Sequence, residues 1–369
     1  MKNITLPFYA KLALVLFSVI CLGYIAIIGQ TLLAPLLTSF LLSLLLLPLA
    51  NFLEKKWRFK RSIASIISVV LMIAFISGVM YFLVNQMTDL WQDWPLLKKQ
   101  AETSFHDLQV WISNTFHVNT KNQIDYLKDS TASALATSAT VLGATLLTLS
   151  STLLFLSFLL LFTFFILNYR RILFRFLTSV FDEQHKEKVS DIVSRIQYII
   201  KKYITGLFLQ MIIVTLIMIL VLWALGVKYF VLLGLISGIF NIIPYIGIFT
   251  ALLISALITF ATAGAAKMLI VMVAFVAVHA VDGNVLMPLV VGSKVKINAL
   301  FAFIGIIVGE MIWGISGMFL CIPYMAMLKV IFERIDQLKP WGILLGGEDK
   351  PHKRKVYHIT KNIKLEEQE

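Results

Sequence analysis

Charge is scarce in this chain. Asp, Glu, Lys and Arg make up 14% of its 369 residues, while 59% are hydrophobic and the mean hydropathy is +0.88. Soluble globular domains carry about 25% charged residues, so a soluble fold is excluded. Cysteine is nearly absent as well. Cys21 and Cys321 both sit in apolar runs, with no CxxC and no metal-ligand spacing. That excludes a disulfide framework and a thiolate metal site and leaves both as small hydrophobes. Signatures of soluble catalysis are missing too: there is no HExxH, GxSxG, Walker A loop or GxGxxG, and "HKEKV" has the wrong spacing. An ATP-driven step within this chain is therefore not expected, nor is an enzymatic activity, a cofactor or a metal.

What the chain does have is apolar runs of about 20 residues, enough to cross roughly 30 Å of hydrocarbon. Spans are expected near 9–31, 32–53, 62–86, 146–169, 204–225 and 267–289, with Pro35 near the turn between the first two. The start of the chain imitates a signal peptide, but a second apolar run follows at once, which favours a retained first span. Residues 87–145 are polar, with six acids against four lysines, and carry Trp91, Trp94 and Trp111. "EKKWRFKR" at 54–61 has five basic residues against one acidic, and 170–202 has eight against four. By the positive-inside rule these two loops and both termini face the cytoplasm, and 87–145 lies outside. This topology accounts for the formal charge of +12 without nucleic acid. Within 183–203, Val189, Ile192, Val193, Ile196, Ile199, Ile200 and Tyr203 recur at helical spacing, which predicts an amphipathic helix lying on the inner surface.

Two further segments, about 229–260 and 300–332, are too long for one crossing. At 1.5 Å per residue each would span about 48 Å. "GLISG" leads into Asn241, Pro244 and Gly247, and "GIIVG" leads into Glu310, Gly314 and Gly317. Pro removes a backbone donor, Gly loosens a helix, and interrupted apolar segments in corresponding places point to a transporter's substrate or ion site. Each segment is either a kinked span or a re-entrant hairpin. The hairpin alternative puts Lys267 on the outer side and Lys294 and Lys296 on the inner side. Of the 20 acidic residues, only Asp282 and Glu310 fall among the late apolar segments. An acid mid-membrane costs about 2.5–3.5 kcal/mol on insertion scales, so each needs a partner or a cavity. His279 and Asp282 share a helical face and form either a proton relay or a structural pair.

The stretches "GLISGIFNIIPYIGIF", "DGNVLMPLVVGSKVKINAL" and "GIIVGEMIWGISGMFLCIPYMAMLKVIFERI" resemble the autoinducer-2 exporter family of bacterial permeases. The three early spans, polar insertion and late hydrophobic segments match its layout. One departure is Ala299, where the family often has Pro. The resemblance implies a multi-span, homo-oligomeric permease in the cytoplasmic membrane.

The expected fold is an all-α polytopic membrane protein with eight hydrophobic segments, two of them broken or re-entrant. Its parts are three spans over 1–86, an outer polar segment at 87–145, a transport core at 146–335 and a basic tail at 336–369. The expected function is gradient-coupled movement of a small solute or cation with H+ or Na+ as the coupling ion. A passive channel and a non-transporting membrane scaffold are the alternatives.

Overall fold

The computed structural model describes residues 7–116, 138–290 and 297–346, and among these there are helices and no strands. Seven of the helices are long and apolar enough to cross a membrane, and an eighth is apolar but short. The protein is an all-α, multi-pass membrane protein.

Helices α1 (Phe8–Ile28) and α2 (Gln30–Lys56) meet at Gly29, two residues before the boundary expected at 31/32. A Cβ at Gly29 would fall 2.8 Å from Leu33 Cδ1 and 2.9 Å from the Ile25 carbonyl, so the turn needs glycine. Pro35 lies just past the first turn of α2, where its missing N–H leaves one carbonyl unpaired and does not end the helix. Next come α3 (Arg61–Gln92), α4 (Trp94–Phe116) and α5 (Ser138–Ser179). Most of the polar 117–145 stretch lies outside the described residues.

The amphipathic stretch at 183–203 is not a separate surface helix. It is the first half of α6 (Glu183–Ala224), an unbroken rod of 42 residues, about 63 Å long. No Gly or Pro occurs before Gly206 to part it from the following span. The later part of its apolar face packs on protein: Ile200, Tyr203 and Ile204 meet Leu41, Leu44 and Leu320.

Beyond α6 the chain folds back through two residues with positive φ, Gly226 and Tyr229, into the short α7 (Phe230–Phe240). The glycines of "GLISG" are the contact surface. A Cβ at Gly234 would meet Ile219 Cγ1 at 2.5 Å, and one at Gly238 would meet the Met211 carbonyl at 2.8 Å. α7 is thus pressed antiparallel onto α6, and its end reaches the level of Met211.

Helix α8 (Ile246–Val281) is folded at Gly264, where φ is 81° and ψ 178°. Its two ends lie at the same low level: Gly247 lies against Phe240, the end of α7 near Met211, and Asp282, just past the far end, reaches Gln210 on α6. Between them, Lys267 reaches Gly226 at the top of α6. A straight helix cannot do both. α7 and the first limb of α8 therefore form a hairpin, and the second limb runs back down as its own span.

After a π-helical turn at Asp282–Leu286 and the one-turn α9 (Met287–Val290), α10 (Ala299–Arg334) also folds on itself. The fold is at Trp313–Gly314, with Gly314 at φ 58°. Gly305 lies against Cys321, though 16 residues of straight helix would hold them about 24 Å apart. The short α11 (Lys339–Leu345) closes the base, its Leu345 carbonyl accepting the Asn298 N–H at 2.9 Å.

Both long interrupted segments are therefore re-entrant, and they enter from opposite faces. The ends of the first lie near Asp93 and Ser104. The base of the second lies by Asp191, paired with Arg334, and Lys188, paired with Asp336. Lys267 belongs to the first face; Lys294 and Lys296 lie outside the described residues. The hairpins touch at Tyr245 and Phe303, whose rings are edge-to-face at 6.4 Å.

Candidate functional site

Asp282 is 3% exposed at the foot of α8's second limb. An ionised carboxylate only accepts hydrogen bonds, and burying one without donors is costly. Three donated N–H bonds meet it here. Gln210 Nε2 on α6 reaches Oδ1 at 2.8 Å and Oδ2 at 3.0 Å, and Asn241 Nδ2 reaches Oδ2 at 3.1 Å. Gln210 and Asn241 are each 7% exposed. Asn241 is placed by the break itself, because α7 ends at Phe240 and the turn carries residue 241 against α6.

His279 sits one turn above Asp282 with Nδ1 at 3.9 Å from Oδ2, too far for a hydrogen bond. That buried Nδ1 has no hydrogen-bond partner among the described residues. On the ring's other side Nε2 lies 3.5 Å from Ser237 Oγ, and Phe275 packs 5.1 Å away. The π-turn begins at Asp282; such turns are rare and recur at functional sites. It gives Asp282 a buried place among side chains, in contrast to a helix-capping role at the membrane surface. By sequence count, Gln210 lies about 12 Å along α6 from Lys202 and about 21 Å from Ala224, so the site is well inside the span.

Pro244 and Gly247 shape the hairpin tip and do not touch the carboxylate. Tyr245 between them has φ 64°, and a Cβ at Gly247 would fall 1.7 Å from the Phe240 carbonyl. Above the tip, the buried hydroxyls of Ser255 and Thr259 have no hydrogen-bond partner among the described residues.

Glu310, Gly314 and Gly317 lie on the second hairpin, apart from this cluster. Gly314 makes the fold, and Gly317 packs on Gly309. Glu310 is exposed on the protomer surface, with neither the buried partner nor the cavity that its depth demanded among the described residues. Trp313, beside the fold, donates its Nε1–H to the Ala26 carbonyl at 2.9 Å and ties the tip to α1.

In the sequence His279 and Asp282 stood out as a pair, Asn241 as part of a break and Gln210 as the one exception in the ordinary span 204–225, with no role attached to it, while Ser237 did not stand out. Ser237 was hidden inside a motif that reads as packing. No group of three or more His, Cys, Asp or Glu able to hold a metal ion occurs among the described residues.

A family model described as "AI-2E family transporter" matches residues 14–337. Among curated proteins, the "Putative transport protein YrrI" of Bacillus subtilis is 26% identical over 309 residues, covering 82% of this chain and 86% of that protein. The "Putative transport protein YueF" of the same organism is 34% identical over 113 residues, 31% of this chain and 30% of that one. A "Putative transport protein" of Borreliella burgdorferi is 28% identical over 122 residues, 31% and 33% of the two chains.

Proposed function

The chain belongs to the AI-2E transporter family, a membrane transporter on that footing, and we propose that it moves a small solute or cation across the bacterial inner membrane by gradient-coupled secondary transport, with Asp282 as the coupling carboxylate. The observation that carries this reading is a buried acid at the meeting point of broken helices, held by two amides and facing an unpartnered imidazole nitrogen.

Each partner has chemistry that suits exchange. Gln210 and Asn241 each carry an amide oxygen beside the NH2 that now faces Asp282. A half-turn of either amide would add a hard oxygen ligand to the carboxylate, the set that alkali cations prefer. His279 stands within reach to pass or hold a proton on the Ser237 side. Access from the two sides in turn would follow from hinge motion of the opposed hairpins at Tyr245 and Phe303. Ser255 and Thr259 extend the polar route along α8. In this reading both termini and the 170–202 region face the cytoplasm, on the strength of their basic residues. The Asn241, Pro244 and Gly247 break forms one gate of the pathway, and the hairpin bearing Glu310, Gly314 and Gly317 forms the other. A homo-oligomer is part of the same reading, given the exposed apolar surface of α1.

The test is a solute screen in proteoliposomes with an imposed pH or Na+ gradient and a pH-sensitive dye inside. Coupled transport predicts uphill accumulation that collapses with the gradient. Flux that runs only downhill and ignores both gradients would establish a passive facilitator, and no flux of any solute would favour a scaffold.

A further inference from the structure

The basic face of the molecule carries a second feature, apart from the Asp282 site. α5 continues past the Arg170 level to Ser179, and α6 starts back at Glu183, so the two helices form a projecting V. The V encloses a cleft of about 1240 Å³, larger than the roughly 300–1,000 Å³ of an ordinary small-molecule pocket.

The cleft's chemistry changes along its length. The deep end is hydrocarbon, with Phe40 and Leu44 of α2 and Ile192 and Ile196 of α6 on its walls. Leu44 belongs to the membrane core of α2, α6 and α10. The mouth is cationic: Arg170, Arg171, Arg175 and Lys188 line it, against Asp336 as the one acid among the described lining residues. Two of these cations are committed. Arg170 binds Glu54 at 2.6 Å, and Lys188 pairs with Asp336 at 3.4 Å. Arg171 is 64% exposed and only loosely held, its Nη2 3.9 Å from Oε2 of Glu54, the carboxylate whose Oε1 already binds Arg170. Arg175, exposed and one turn further on the same helix face, has no acidic partner among the described residues.

An apolar trough that opens at the membrane edge under one loosely paired guanidinium group and one with no acidic partner among the described residues fits one class of molecule. We propose that this cleft binds an anionic phospholipid, its acyl chains against the α2 and α6 walls and its phosphate between Arg171 and Arg175. Guanidinium groups bind phosphate in a bidentate fork, and a basic group near an anionic lipid surface contributes about a fivefold gain in binding. A zwitterionic lipid would fill the trough and gain less at the mouth, because its ammonium meets the same arginines. The proposal rests on no part of the transport reading.

The experiment uses the full-length protein in detergent and a fluorescent phosphatidylglycerol followed by anisotropy. Unlabelled phosphatidylglycerol, phosphatidylethanolamine of the same chains and glycerol phosphate serve as competitors. Phosphatidylglycerol should displace the probe at least tenfold more effectively than phosphatidylethanolamine, and glycerol phosphate should not displace it. The double variant Arg171→Gln/Arg175→Gln should weaken phosphatidylglycerol about twentyfold and leave phosphatidylethanolamine unchanged, which also reports an intact trough. Lys55→Gln/Lys56→Gln, basic residues on the same face but outside the cleft, should have no such effect. Equal competition by the two lipids, displacement by glycerol phosphate, equal losses in both double variants or no saturable binding would each overturn the proposal.

Discussion

Gln210 and Asp282 lie 72 residues apart in sequence and share two hydrogen bonds, from one amide nitrogen to both oxygens of one carboxylate. Replacing Gln210 by Leu leaves Asp282 buried with part of its donors gone, a loss of about 1–3 kcal/mol. The purified variant should unfold at a lower temperature in detergent. Because removing both partners of a buried pair is close to neutral, Gln210→Leu/Asp282→Leu should recover part of that loss. A double variant less stable than the sum of the two singles would break the pairing argument.

The second hairpin depends on two backbones touching. A Cβ at Gly317 would lie 1.9 Å from the Gly309 carbonyl oxygen, and one at Gly309 would lie 2.5 Å from that of Gly317. Alanine at either position forces the limbs apart, at a cost of roughly 1–3 kcal/mol. Thermal stability in detergent should drop for Gly309→Ala and for Gly317→Ala, but not for Gly283→Ala, where a Cβ meets nothing within 4 Å.

The first hairpin has the same dependence at its tip, with a functional consequence. A methyl group at Gly247 collides with the Phe240 carbonyl, next to Asn241. Gly247→Ala should move Asn241 off Asp282 and reduce the proposed coupled flux tenfold or more, while the protein still inserts and elutes at the wild-type volume. Wild-type flux in this variant would separate the break from transport.

On the far face, Asp93 joins the α3–α4 corner to the α6–α7 turn. Lys228 Nζ lies 2.8 Å from its carboxylate, and the Tyr229 hydroxyl also donates to it. These two bonds hold the Asp93 carboxyl below its ordinary range, and the Asp93 bond raises Lys228 above its own. A depressed carboxylate contributes above its unfolded pKa, near 3.9, and its contribution is lost as pH falls through the lower folded value. A raised lysine contributes below its unfolded value, near 10.4, and loses that as pH rises through the higher folded one. Hydrogen exchange in α4 should therefore be slow and flat from about pH 5 to 9 once corrected for intrinsic rates. Asp93→Asn should speed it across that window; a pH step inside the window in wild type would contradict the assignment.

Much of this architecture was legible in the chain. Segments too long for one crossing and too broken for one helix narrowed each to a kinked span or a hairpin, and the charge asymmetry around 54–61 and 170–202 marked one basic face. What escaped was direction around a helix axis. Hydropathy shows that Glu310 lies deep in an apolar run but not which way it points, and it points out of the protomer. The same blindness hid the role of Gln210, which depends on Asn241 and Asp282 arriving from two other segments. The boundary expected at 31/32 fell two residues past the turn, because apolar runs on both sides hide the missing Cβ that the tight turn at Gly29 needs. The stretch 183–203 looked like a surface helix because its apolar face is regular; from Ile200 on that face serves α2 and α10, and before it the face lines the cleft.

The central claim is that Asp282 carries the coupling. In proteoliposomes prepared side by side, wild type, Asp282→Asn and Glu310→Gln are compared for uphill, gradient-driven accumulation and for downhill exchange of the same solute. An amide of nearly the same shape does not ionise and brings no charge to offset a cation; its one oxygen still accepts from Asn241, and Gln210 can turn its own oxygen to the new NH2. Asp282→Asn should lose uphill accumulation by at least a hundredfold and keep downhill exchange within about threefold of wild type, the loss of roughly 3 kcal/mol of coupling. Glu310→Gln should keep both. Uphill accumulation that survives in Asp282→Asn and vanishes in Glu310→Gln would move the coupling site to the second hairpin and contradict the account.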